Sequence, residues 1–167
     1  MTTNNNKIHT LSVYVSNRPG VLARIAQVFA RRGFNIESLV VSPGKDGKFS
    51  RMTIGVSGNP DMLQQIVKQV GKLIDVLSCI EHPETDAVVR ELALVKILCG
   101  PERRTEALQL VDHFNCKTVD LTDKSMVIMS TGASEKVNAF LDMVRTFDVV
   151  ELVRTGKVLM ARGDRAT

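Results

Sequence analysis

No tryptophan occurs among the 167 residues, tyrosine occurs once, and six phenylalanines complete an aromatic share of only 4%. Modules that read single-stranded RNA stack bases on aromatics of their central strands, and the segment best placed for that, Arg51-Met52-Thr53-Ile54-Gly55-Val56, offers no such platform. Nucleic acid is therefore not an expected partner. Apolar runs stay well below the roughly 20 residues that span a bilayer. The opening Met1 to Lys7 is polar and Asn-rich, with no signal-peptide core. A cytoplasmic chain without membrane contact is expected. Cysteine is sparse: Cys79, Cys99 and Cys116 are odd in number and lack C-x-x-C spacing, which argues for free thiols in a reducing compartment. His9, His82 and His113 lie far apart with no i, i+4 pairing, so no metal site is expected. Nor does any Ser-His-Asp set, Cys-His pair, carboxylate pair or phosphate loop stand at recognisable spacing, so no catalytic residue is assigned. Asp75, Glu81 and Glu151 are read as surface carboxylates on strands.

What is present is a globular composition, 44% hydrophobic and 24% charged, long enough for one domain or two small ones. The net charge is +4 and the isoelectric point about 9.1. The basic residues are dispersed: Arg31-Arg32 at a helix end, Arg103-Arg104 early in another helix, Arg162 and Arg165 in a polar tail. They read as solvated surface rather than a phosphate-binding patch.

The most informative segment is Asn17-Arg18-Pro19-Gly20-Val21-Leu22, followed by an amphipathic helix and then Gly33-Phe34-Asn35-Ile36. Pro19 suits a first helical position, and Gly20 lets a ligand approach the backbone. The N–H groups of Gly20, Val21 and Leu22 are then expected to be unpaired at the positive end of the helix dipole, a seat for a carboxylate.

Periodicity predicts a strand over 8–15, a helix over 19–32 with Val21, Leu22, Ile25, Ala26, Val28 and Phe29 on one stripe, and Gly33 as a left-handed cap. A strand over 35–42, a hairpin loop at 43–48, a third strand, a helix opened by Asn59-Pro60-Asp61 and a strand over 74–81 follow. The order βαββαβ is the ferredoxin-like unit. His82 to Val88 reads as a linker, after which the same order returns over 89–167 without repeating the sequence, ending in a polar tail. There Gly100-Pro101-Glu102 takes the place of the first turn, with an acid where an anion would sit. The expected class is α+β, two ferredoxin-like βαββαβ domains. Each half is small and leaves one sheet face without helices, so a homodimer or larger homo-oligomer is expected, joined through an edge strand.

Asn17 to Leu22, Phe29 to Leu39 and Ser50 to Ile54 together closely resemble the regulatory (small) subunit family of acetolactate synthase, or acetohydroxyacid synthase. Val89 to Lys96, Ala139-Phe140-Leu141 and Arg154-Thr155-Gly156 resemble the family's second half. The turn alone would indicate only an ACT domain, a module of many amino-acid-regulated proteins, so a regulator of another enzyme or a transcription-linked sensor is the alternative.

The resemblance implies an ACT effector-binding domain over 1–81, a linker over 82–88 and a second ferredoxin-like domain over 89–167. It implies a subunit without chemistry or cofactor of its own in branched-chain amino acid biosynthesis. Such a subunit binds and activates a catalytic subunit that carries thiamine diphosphate, Mg and FAD, and confers feedback inhibition by valine or a related amino acid. Carried over by position, Asn17, Gly20, Val21 and Leu22 of one chain and Asn35 and Ile36 of its partner would hold the effector.

Overall fold

The computed structural model describes residues 8–82, 86–164 and 166–167. The chain divides into two units, one running to Val88 and taking in Gly156–Thr167, the other Val89–Thr155.

In the first unit, β1 (His9–Ser16), α1 (Val21–Arg31), β2 (Asn35–Pro43), β3 (Phe49–Ser57), α2 (Pro60–Val70) and β4 (Val76–Glu81) follow the predicted order. The sheet runs β2-β3-β1-β4, antiparallel throughout. Alternation along β1 sends Leu11, Val13 and Val15 to one face, where they are fully buried with Ile25 and Phe29 of α1, Ile54 and Val56 of β3 and Ile66 of α2. The helix stripe and the strand faces thus close one core. Helix α1 ends as predicted: Gly33 adopts φ +70, its N–H donates to the Ala30 carbonyl at 3.2 Å, and the Phe34 N–H donates to Phe29 at 3.1 Å. This is the Schellman arrangement that a glycine makes unstrained.

The second unit repeats the plan with β5 (Ala87–Leu98), α3 (Pro101–His113), β6 (Lys117–Leu121), β7 (Ser125–Gly132), α4 (Ser134–Val144) and β8 (Asp148–Arg154), in strand order β6-β7-β5-β8. Its core gathers Val95, Ile97, Ala107, Met126, Ile128 and Phe140. The buried Glu91 carboxylate is held by Arg154 and by the hydroxyl of Ser134. That ties β5, β8 and the start of α4 together. Arg103 stacks on Phe147, 4.3 Å from the ring centre, and Arg104 donates to the Thr122 carbonyl at 2.8 Å. Both are partly buried rather than simple solvated surface.

The expected boundaries need two corrections. Of the linker over 82–88, residues 83–85 lie outside the described residues, and Ala87 and Val88 already open β5. The expected tail, from which Arg165 is likewise outside the described residues, does not group with the second unit. After Thr155 the chain continues into β9 (Val158–Ala161), which pairs with β5 and whose Leu159 is buried. The Arg162 N–H donates to the Asp86 carbonyl at 3.1 Å, Arg51 donates to the Thr167 carbonyl, and Gly156 packs against Ser38. Burial of Leu159 and these bonds fix the polar tail in place. Asp75 is also corrected: it precedes β4 and is 8% exposed, whereas Glu81 and Glu151 are exposed strand residues.

Candidate functional site

The β1–α1 connection is a type II turn. Pro19 occupies its second position and Gly20 its third, with φ +83 and ψ −9, and the Val21 N–H closes it on the Arg18 carbonyl at 3.4 Å. Gly20 is thus the N-cap, and Pro19 stands outside the helix instead of at its first position. Of the three donors expected to be unpaired, Val21 is engaged, while the N–H groups of Gly20 and Leu22 have no partner among the described residues. No acidic residue lies in the first turn and no side chain caps the helix. The first turn of α1 therefore holds no carboxylate of its own at the positive end of the helix.

Arg24 strengthens that end. Its Nη1 lies 3.3 Å from where a Cβ on Gly20 would stand, and its Nη2 donates to Asp75 Oδ2 at 2.5 Å. Asp75 is fixed in turn by its own carbonyl, which accepts the Ser16 N–H at 2.8 Å. Arg24 is not assigned from the sequence, and Asp75 is read there only as a surface carboxylate. The spacing Gly20 to Arg24 is one helical turn and was the available signal; the partner 51 residues away had none.

Asn17 stands beside the turn. Its side-chain Nδ2 donates to the Gly47 carbonyl and its backbone N–H to the Lys48 carbonyl, both at 2.9 Å. The β2–β3 loop is thereby pinned next to the helix start. Val21 is 2% exposed and belongs to the core, whereas Leu22 is 38% exposed.

Asn35 and Ile36 lie elsewhere. They pair with Ser57 and Val56, and Val56 also pairs with His9, whereas Ser16 pairs with Phe49 at the opposite end of β3. At about 3.4 Å per residue, that strand separates the two groups by roughly 27 Å. One chain brings Asn17, Gly20, Val21 and Leu22 together and holds Asn35 and Ile36 apart from them. Asn35 Nδ2 donates to Glu37 Oε1 at 2.8 Å, and the Ser57 hydroxyl donates to the same oxygen at 2.5 Å. The Ser57 bond first, and the Asn35 bond second, hold the Glu37 carboxyl below its usual range. Glu37 is a further residue not assigned from the sequence. Ile36 is half-buried against the core.

The first half of the chain, residues 11–78, matches the family model described as "AHAS small subunit-like ACT domain", and residues 90–163 match "Small subunit of acetolactate synthase". The chain belongs to the acetolactate synthase small-subunit family. A probable acetolactate synthase small subunit of Archaeoglobus fulgidus is 45% identical over 157 residues, covering 94% of this chain and 98% of its own. The acetolactate synthase small subunit of Mycolicibacterium smegmatis is 42% identical over 162 residues, covering 97% and 95%. The crystal structure of the small subunit from Thermotoga maritima superposes with a TM-score of 0.84 at 38% identity, covering 95% of this chain and 99% of that one. In this member of the small-subunit family, no helix among the described residues is long and apolar enough to cross a membrane. No group of three or more His, Cys, Asp or Glu among them is arranged to hold a metal ion.

Proposed function

We propose that the protein is the regulatory subunit of acetolactate synthase: it binds and activates the catalytic subunit and, on binding valine, inhibits it. Family membership supports the role, and the open helix start at Gly20 beside Arg24 is the observation that carries the effector site. The N–H groups of Gly20 and Leu22 would take the carboxylate. The ammonium would meet the amide oxygens of Asn17 and of the partner's Asn35, and the isopropyl group Leu22 and the partner's Ile36, with Val21 as the floor.

Two copies can close the separation that one cannot. Strand β2 is a sheet edge, and edge strands pair most simply across a two-fold axis. Antiparallel pairing of β2 with its symmetry mate sets the Asn35 end of one copy beside the Pro43 end of the other. Pro43 pairs with Ser50, next to the Phe49–Ser16 pair that precedes Asn17. The seam therefore juxtaposes one chain's turn with the other's β2 start. An effector in the seam favours one arrangement of the two sheets, and the catalytic subunit favours another. A coupling of about 1–3 kcal/mol gives a 5- to 150-fold reciprocal effect on affinity.

Titration calorimetry of valine, leucine and isoleucine into the full chain, with its mass measured in solution, tests this reading. The expected result is a dimer or larger assembly that binds a branched-chain amino acid. A monomer, or an oligomer that takes up none of the three, overturns it.

A further inference from the structure

Both asparagines of the site have their NH2 groups engaged by their own chain. Asn17 Nδ2 donates to the Gly47 carbonyl at 2.9 Å, and Asn35 Nδ2 to Glu37 Oε1 at 2.8 Å. Carbonyl and carboxylate oxygens can only accept, so the chemistry of the partners fixes which way each amide is turned. Each Oδ1 is left facing away as an acceptor. Glu37 follows Asn35 by two residues, so both stand on one side of β2, and it lies at a bulge: Ile36 pairs with Val56 and Ser38 with Gly55, so Glu37 is the extra residue of β2. A bulge re-aims the side chain it carries, and the Ser57 hydroxyl at 2.5 Å holds it there.

The site therefore has two ends of opposite character. Donors gather at the start of α1, with the N–H groups of Gly20 and Leu22 and the Arg24 guanidinium; acceptors gather at Asn17 and at the Asn35–Glu37 pair. We propose that Glu37 is a positioning residue that turns Asn35 oxygen-outward and so makes the site read a free α-ammonium, discriminating an amino acid from the 2-oxo acid of the same carbon skeleton. This rests on the effector site proposed above. The two compounds share a carboxylate and a side chain and differ by one transamination. Where the amino acid offers three N–H donors, the oxo acid offers a carbonyl oxygen, which would face acceptors with no proton between them. A sensor without this polarity would respond to the precursor as well as to the product.

The test compares valine with 3-methyl-2-oxobutanoate by calorimetry on the full-length protein, together with thermal unfolding. Wild type is expected to bind valine about 100-fold or more tighter than the oxo acid, the scale on which an unpaired polar group in a site discriminates. In Glu37→Gln the amide of Asn35 is no longer held by an obligate acceptor, and the ratio should fall below about tenfold through weaker valine binding, with oxo-acid affinity unchanged or raised and Tm retained. Ser57→Ala keeps the Asn35 bond and should lower the ratio only a few-fold. A Glu37→Gln protein that keeps the wild-type ratio overturns the inference, as does a wild type that binds both compounds equally. A wild type that binds neither overturns the effector site itself, and this inference with it.

Discussion

The two units open their first helices with a proline and a glycine in opposite order and reach opposite results. Before α1 the order Arg18-Pro19-Gly20 puts glycine at the N-cap with φ +83, and no acid follows in the first turn. Before α3 the order Gly100-Pro101-Glu102 puts glycine in an extended conformation, φ −70 and ψ 173, with proline opening the helix. There the Glu102 carboxylate turns back, its Oε1 2.5 Å from where a Cβ on Gly100 would stand. The second helix thus carries its own anion at its positive end, while the first leaves that position open beside a guanidinium. Reversal of the proline–glycine order, with an acid in one turn and none in the other, separates a helix start that is left open from one that holds its own carboxylate.

The sharpest way to break this contrast is Gly20→Asp. A side chain at φ +83 is strained by about 1 kcal/mol, and the added carboxylate would fill the seat and draw Arg24 to itself. Valine affinity should drop more than about 100-fold by calorimetry, the loss of charge-assisted bonds together with like-charge repulsion. Activation of the catalytic subunit should persist in a reconstituted assay. Arg24→Gln is a milder intervention. It should weaken valine about tenfold by removing one charged hydrogen bond, and cost about 1–3 kcal/mol in urea unfolding because the buried Asp75 carboxylate loses its partner. Gly100→Ala should do least: φ is ordinary there and the obstruction is the tip of a flexible Glu102 side chain. Its unfolding free energy should stay within about 0.5 kcal/mol of wild type. An equal penalty for this variant and for Gly20→Asp would erase the distinction between the two turns.

Most elements could be read from the sequence because their signals are local. The stripe from Val21 to Phe29, the cap at Gly33 and the alternation of Met52, Ile54 and Val56 each lie within a few residues, and each element falls within two residues of its predicted bounds at most ends. A similar cap closes α3, where Asn115 at φ +47 does the work of Gly33 and the Cys116 N–H donates to Val111 at 2.8 Å. The features that escaped are made by residues distant in sequence. Asp75 looked like a strand-surface acid until Arg24 met it. Residues 156–167 carry no period that announces where they pack, since β9 pairs with β5 and further contacts are with Ser38, Arg51 and Asp86. Pro19 was displaced from its expected place by the turn type, which the Val21-to-Arg18 bond decides. Glu37 is exposed, and its bonds run to Asn35 and to Ser57 on the neighbouring strand, a pairing that no local period announces.

The return of residues 156–167 to the first unit makes the second unit, in chain terms, an insertion within the first. Its entry and exit are neighbours, for the Thr155 N–H donates to the Leu92 carbonyl at 3.0 Å and Ala93 pairs with Arg154. Such a segment behaves like a cassette, which genetic exchange can remove or replace without separating the flanking ends. During translation the consequence runs the other way: the ribosome must finish the whole inserted segment before the first unit receives the residues from Gly156 onward that group with it.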